Sequence, residues 1–335
     1  MDVESLSAEQ AAGQRLMVGF EGTELSQSLK FYIDTLKVGG VILFTSNIDS
    51  PGQITNLCQS IQAYARGCGQ PPLFIAIDQE GGRVARLKTP FTQFPGNSAM
   101  QGVDDAAEFG RVTASELAAI GVNMNMAPVL DVVPEGFAGI MAERVFGSDP
   151  DWVSELGLTV ISHLQARNVM AVAKHFPGIG RTTLDSHLDR PILDAEFKEL
   201  NRFDLPPFKN AIANDVAGMM LSHVVYPGID AAWPASLSLE IAGNLLRKRL
   251  GFGGIILTDD LDMGAIVKYY DIDTVMERII AADIDITLIC HEGPKIETAF
   301  EVLLRNYADK TTAAPDGTEA IRRIMRLKRK YLATI

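Results

Sequence analysis

Short apolar runs recur along the chain, each separated from the next by a stretch with helical spacing. The runs begin near Leu16, Gly39, Leu73, Val122, Val169, Gly218, Gly254 and Asp285. Because they lack polar alternation, they read as strands buried on both faces of a parallel sheet. Between the first two, Glu24 to Leu36 places Leu25, Leu29, Tyr32, Ile33 and Leu36 on one helical face. Further helices are predicted over Ile54 to Tyr64, Val103 to Ile120, Trp152 to Arg167, Phe203 to Asn214, Leu237 to Leu250 and Thr274 to Ala282. Ser7 stands as the N-cap of a first helix that starts AEQAAGQRL. Eight strand–helix alternations predict an α/β fold, a single-domain (β/α)8 TIM-type barrel over residues 1–335. The basic segment Glu319 to Leu332 is predicted as a terminal helix that turns Ile321, Ile324, Met325, Leu327 and Leu332 toward the barrel.

In such a barrel the carboxyl ends of the strands converge on one mouth. Asp78, Asn125, Lys174, His175, His223 and Asp259 occupy those ends. Asp78 is followed by Gln79, Glu80 and the pair Gly81–Gly82, which lets backbone approach a ligand. Of Asp259 and Asp260, one is expected to face the mouth and the other the helices. Arg86 and Arg144 are candidates to reach the same pocket. The densest chemistry lies in AKHFPGIGRTTLDSHLDRP at 173–191, which holds two of the five histidines. Pro177, Gly178 and Gly180 break regular structure there, so the residues that follow form an excursion. Asp185 and His187, two apart, suit a carboxylate that fixes an imidazole's tautomer and raises its basicity.

Composition narrows the function. Apolar residues make up 47% and charged residues 21% of the 335 residues, as in soluble globular proteins. A net charge of −12 argues against nucleic acid as a partner. Cys58, Cys68 and Cys290 form neither a disulfide framework nor a zinc ribbon. The acidic start MDVESLSAEQ lacks the pattern of a signal peptide, and no run is long enough to span a membrane, so a cytoplasmic location is expected. No metal or other cofactor is expected, because no H-x-H follows an early strand and His187 lies out on a loop. A sugar-binding module without catalysis would have no need for both Asp259 and the Asp185–His187 pair.

The chain resembles glycoside hydrolase family 3, in particular its single-domain bacterial β-N-acetylglucosaminidases. The resemblance rests on GGVILF, AIDQEGGRVARL at 76–87, NMAPVLDV at 125–132, ERVFGSDP at 143–150, KHFPGIGRTTLDSH at 174–187 and GFGGIILTDDLDMGAI at 251–266. It implies that Asp259 is the nucleophile and His187 the general acid/base, oriented by Asp185. It also implies that Asp78, Arg86, Arg144, Lys174 and His175 hold the sugar. Larger relatives add a second domain with a glutamate acid, for which this chain is expected to end too soon. Ile179 stands where related enzymes often carry histidine, a departure expected to alter loop packing or aglycone contact. The implied activity is retaining, exo-acting release of N-acetylglucosamine, with muropeptide fragments the expected substrates. Phosphorolysis and general β-glucosidase activity are the alternatives.

Overall fold

The computed structural model describes residues 5–137, 139–308 and 317–333. Eight parallel strands form the barrel: β1 (Leu16–Val18), β2 (Gly40–Leu43), β3 (Phe74–Ile77), β4 (Met124–Asn125), β5 (Met170–Phe176), β6 (Gly218–Leu221), β7 (Ile255–Thr258) and β8 (Thr287–Ile289). Their order is β7-β6-β5-β4-β3-β2-β1-β8. The ring closes through the bridge between Leu257 and Ile286. All eight predicted strands are present. β4 is shorter than its apolar run because Pro128 has no N–H to donate; the ladder resumes in a bridge from Val129 to Lys174.

Successive residues on each strand divide between two cores. Met17, Ile42, Phe74, Ala76, Met124, Met170, Val172, Met220, Ile255, Leu257 and Leu288 fill the barrel interior. Their neighbours Leu16, Val18, Val41, Ile75, Ala171, Met219 and Ile256 pack outward against the helices. Both faces are therefore buried, which is why the strands read as unbroken apolar runs.

The helices follow the predicted spacing, and local chemistry sets their starts. Ser7, Ser26, Ser50, Asp149 and Asp271 each accept a hydrogen bond from a first-turn N–H. Three regions differ from expectation. The segment read as Phe203 to Asn214 is two helices, Phe197–Phe203 and Leu205–Ala213, that meet at the buried Asp204, with Pro206 and Pro207 opening the second. Leu239–Arg249 winds as a π-helix. Pro294–Ala308 forms a helix beyond those the spacing predicts.

The last helix, Thr318–Tyr331, buries Ile324, Leu327 and Tyr331 against the interior core, so it closes the barrel at the end opposite the mouth. Lys328, expected on its basic face, points inward instead. Its Nζ donates to Gln14 Oε1 at 2.6 Å and to the Gly39 carbonyl at 2.8 Å, and sits 4.8 Å from the centre of the Phe74 ring. Burial with no carboxylate partner holds its pKa well below that of an ordinary lysine. No helix among the described residues is long and apolar enough to cross a membrane.

Candidate active site

At the carboxyl ends of the strands, Asp78, Arg86, Arg144, Lys174, His175, His187 and Asp259 line one cavity of about 290 Å³. Met220, Leu288, Ile42 and Cys290 add apolar wall. A second cavity of about 250 Å³ shares Arg144, His175, His187 and Asp259, and extends past Asp185, Ile140, Met141 and Ile179. Asp78, Arg86, Arg144, Lys174, His175, Asp185, His187 and Asp259 thus each reach one or both cavities.

A row of alternating charges forms one wall. Arg86 Nη2 lies 3.2 Å from Asp78 Oδ2, and Lys174 Nζ lies 2.7 Å from Asp78 Oδ1 and 2.6 Å from Glu80 Oε1. Arg144 grips Glu80 through Nε at 2.9 Å and Nη2 at 2.7 Å, the bidentate geometry of strong guanidinium–carboxylate pairs. Burial alone would raise Asp78, but Lys174 and Arg86 bring it down to about 2. Glu80 is likewise lowered against its burial by Lys174 and Arg144. The row is therefore ionised, and it presents fixed charges to hydroxyl groups.

His175 follows Lys174 across a cis peptide. Its Nδ1 is 2.7 Å from Asp131 Oδ2, so Nδ1 carries the proton and Nε2 is left for the cavity. Asp131 Oδ1 also accepts the Ile179 N–H at 2.8 Å, which ties the start of the excursion to the strand below it. Ile179 lines the second cavity.

The two adjacent aspartates at the end of β7 have opposite environments. Asp259 is raised by burial, but His223, His175, the Asp260 N–H at 2.8 Å and Lys174 together hold it below the ordinary value. Asp260 is pushed up to about 6 by burial and by the charges of Asp262 and Asp259. Its Oδ1 accepts from Asp262 N–H at 3.0 Å and Cys290 N–H at 3.1 Å, so it braces the β7 and β8 loops. His223 is buried behind them. Its Nε2 meets the Asp260 carbonyl at 2.8 Å and must donate, which leaves Nδ1 to accept from Ser236 Oγ at 2.7 Å.

On the excursion, His187 Nδ1 lies 2.8 Å from Asp185 Oδ1, and the same oxygen accepts the His187 N–H at 2.9 Å. Those bonds and the charge of His187 outweigh partial burial and lower the Asp185 carboxyl. With Nδ1 held by an anion, Nε2 is the ring nitrogen that carboxylate leaves unengaged.

Three expectations do not hold. His223 lines neither cavity, because both its ring nitrogens are engaged behind the aspartates. Asn125 does not face the mouth: its side chain accepts from Gln79 N–H and donates to the Gln79 carbonyl, both at 3.0 Å. The glycine pair serves packing rather than a ligand. Gly82 has φ +58°, and a Cβ there would stand 2.8 Å from the Pro95 carbonyl. Glu80 and the partnership of Asp131 with His175 went unread in the sequence. Each depends on residues 64 and 44 positions apart. Only the run of strand-end polar residues hinted at them.

Asp260, Asp262 and His291 bring possible metal-ligand atoms within 4.8 Å of one another. Asp262, however, is already engaged by Lys295 Nζ at 2.6 Å and by His291 Nδ1 at 3.3 Å. An ammonium at that point repels a second cation.

Residues 7–327 match the family described as the Glycosyl hydrolase family 3 N terminal domain. The chain belongs to glycoside hydrolase family 3. It is 37% identical over 307 residues to a beta-hexosaminidase of Nitrosomonas eutropha, covering 89% of this chain and 86% of that protein. A solved family 3 β-N-acetylglucosaminidase from a Paenibacillus species superposes with a TM-score of 0.95 at 34% identity, over 99% of this chain. This chain spans only 64% of that longer protein. NagZ from Neisseria gonorrhoeae, solved in complex with N-trifluoroacetyl-D-glucosamine, superposes with a TM-score of 0.80 at 29% identity, over 93% of this chain and 89% of its own.

Proposed function

We propose that this family 3 glycoside hydrolase is a retaining, exo-acting β-N-acetylglucosaminidase. The observation that carries the reading is the meeting of an ionised, half-buried Asp259 and an Asp185-polarised His187 on the wall of one cavity large enough for about one sugar ring. The names of the relatives above support the choice of sugar. In the first step the Asp259 carboxylate attacks the anomeric carbon while the His187 imidazolium gives its Nε2 proton to the departing glycosidic oxygen. In the second, neutral His187 takes a proton from water, the hydroxide oxygen bonds to the anomeric carbon, and Asp259 leaves with its electron pair. Two inversions give net retention. Asp78, Lys174, Arg86, Arg144 and His175 hold the ring hydroxyls.

Phosphorolysis is a second reading, favoured by Arg83 and Arg144 on the wall of the adjoining cavity. Once the imidazole has lost its proton it is neutral, so an anionic acceptor meets no carboxylate there. The proposal extends to muropeptide fragments as natural substrates and to a cytoplasmic setting, both from the family resemblance. A panel of nitrophenyl glycosides, run with and without phosphate, tests the assignment. N-acetyl-β-D-glucosaminide should be cleaved far faster than β-glucoside, and purified muropeptides should release free N-acetylglucosamine. Preference for the glucoside would reduce the assignment to a general β-glycosidase, and sugar 1-phosphate as the main product would make the chain a phosphorylase.

A further inference from the structure

The excursion that carries His187 is exposed: the His187 side chain is 69% accessible and Leu188 is 66% accessible. Little apolar burial holds this segment, yet five consecutive residues are tied to one short stretch that follows Asp259. The Ser186 carbonyl accepts the Ala265 N–H at 3.0 Å, and the His187 carbonyl accepts the Gly264 N–H at 3.2 Å. Lys268 Nζ reaches the Leu188 carbonyl at 2.6 Å. The Tyr269 hydroxyl donates to the Asp189 carboxylate. Arg190 donates to the Tyr270 hydroxyl at 2.7 Å, and its guanidinium lies 4.3 Å from the centre of the Tyr269 ring. The contact at Gly264 is tight enough that a Cβ would stand 2.6 Å from the His187 carbonyl oxygen and 2.8 Å from that of Leu188.

We propose that Gly264, Lys268 and Tyr269 are positioning residues for His187. They fasten the acid/base loop to the same chain segment that carries Asp259, so the two reacting groups share one support. Gly264 sets the depth at which the loop seats, while Lys268 and Tyr269 hold its outgoing end. None of the three need touch the sugar. Their effect is on how often the imidazole stands in line with the glycosidic oxygen, a requirement that small displacements defeat. The proposal rests on the acid/base reading of His187.

The test compares kcat/KM on an N-acetylglucosaminyl disaccharide, whose leaving alcohol needs a proton, with kcat/KM on the dinitrophenyl glycoside, whose leaving group does not. His187→Ala should lose about 10² to 10⁴-fold on the disaccharide and much less on the dinitrophenyl substrate. Lys268→Met, Tyr269→Phe and Gly264→Ala should show the same selectivity in milder form. We expect about tenfold on the disaccharide and at most about twofold on the aryl glycoside. Lys268→Arg should restore most of the loss, and hydrogen exchange over 184–190 should quicken in Lys268→Met but not in Lys268→Arg. If Gly264→Ala fails to fold, the other two variants carry the test. Should His187→Ala slow both substrates alike, the acid/base reading fails and the positioning proposal falls with it. Should His187→Ala be selective while Lys268→Met and Tyr269→Phe leave both the substrate ratio and the loop exchange unchanged, the positioning proposal alone is overturned.

Discussion

Asp259 and Asp260 are neighbours in sequence, yet their surroundings give them opposite electrostatics. Histidines, a lysine and an N–H surround Asp259 and favour its anion, whereas Asp260 is half-buried beside two other carboxylates and rises to about 6. Asp260 Oδ1 is also taken up by the Asp262 and Cys290 N–H groups, which favours Asp259 as the proposed nucleophile. Asp259→Asn should therefore lower kcat on a nitrophenyl N-acetylglucosaminide by at least about 10⁴-fold without changing the thermal midpoint by more than a few degrees. In Asp260→Asn the side-chain oxygen can still accept from Asp262 and Cys290, so the loss should stay within about tenfold. The reverse ranking would show that the wrong aspartate has been assigned.

At the scale of elements, the excursion is pinned at its start as well as its end. Arg181 donates to Asp204 through Nη2 at 2.7 Å and Nε at 3.3 Å, which joins the loop to the junction between two helices. Asp204 is fully buried, and burial pushes it up to about 6 even with that cation beside it. Arg181→Met would strand the carboxylate, and breaking a buried pair from one side costs about 3 to 5 kcal/mol. The sign with pH follows. A carboxyl whose folded pKa lies above its unfolded value destabilises the fold as pH rises through the folded pKa, and does no harm below the unfolded one. Denaturant titrations should show a large deficit for the variant at pH 7 that shrinks as pH falls toward about 4. A deficit independent of pH would mean lost packing rather than a stranded charge.

The strands were legible because each buries both faces, and the helices because each has one apolar side. Pro294–Ala308 carries the same signal in Ile296, Ala299, Phe300 and Leu303, but it follows the eighth strand and adds no alternation to the count. The seam where two helices meet at Asp204 left no such mark, since the spacing continues across it. Within the site, position along a strand revealed Asp78, Lys174, His175 and Asp259. Asn125 was misread because a polar residue at a strand end can equally serve the backbone beside it. Glu80, Asp131 and the fastening at 264–269 answer to contacts between distant segments, and no local pattern encodes those.

For the molecule as a whole, the end of the barrel opposite the mouth is sealed by charged groups drawn inside. Asp285 accepts from Arg247 at 2.6 Å and from Arg323 at 2.7 Å. Nearby, Lys328 is buried among neutral partners. Its depressed pKa means that, between that lowered value and the ordinary lysine pKa of about 10.4, the unfolded chain binds more protons than the folded one. Stability should therefore climb with alkaline pH relative to Lys328→Met, in which the titration is gone. Chemical denaturation at a series of pH values between 7 and 10 would check this, and parallel curves for the two proteins would refute it.

The closure of the ring also bears on how the protein is made. Leu16 in β1 finds its outer partner only in Thr287 of β8, and Lys328 reaches back to Gln14 and Gly39. During synthesis β1 leaves the ribosome long before β8 exists, and one row of its N–H and C=O groups stays unpaired for nearly the whole of translation. Open strand edges recruit other chains, and slow parallel pairing prolongs the exposure. A ribosome that stalls before Thr287 is added thus holds a sheet with two free edges and no lid beneath it. Aggregation during that interval is therefore a hazard separate from the equilibrium stability of the finished barrel.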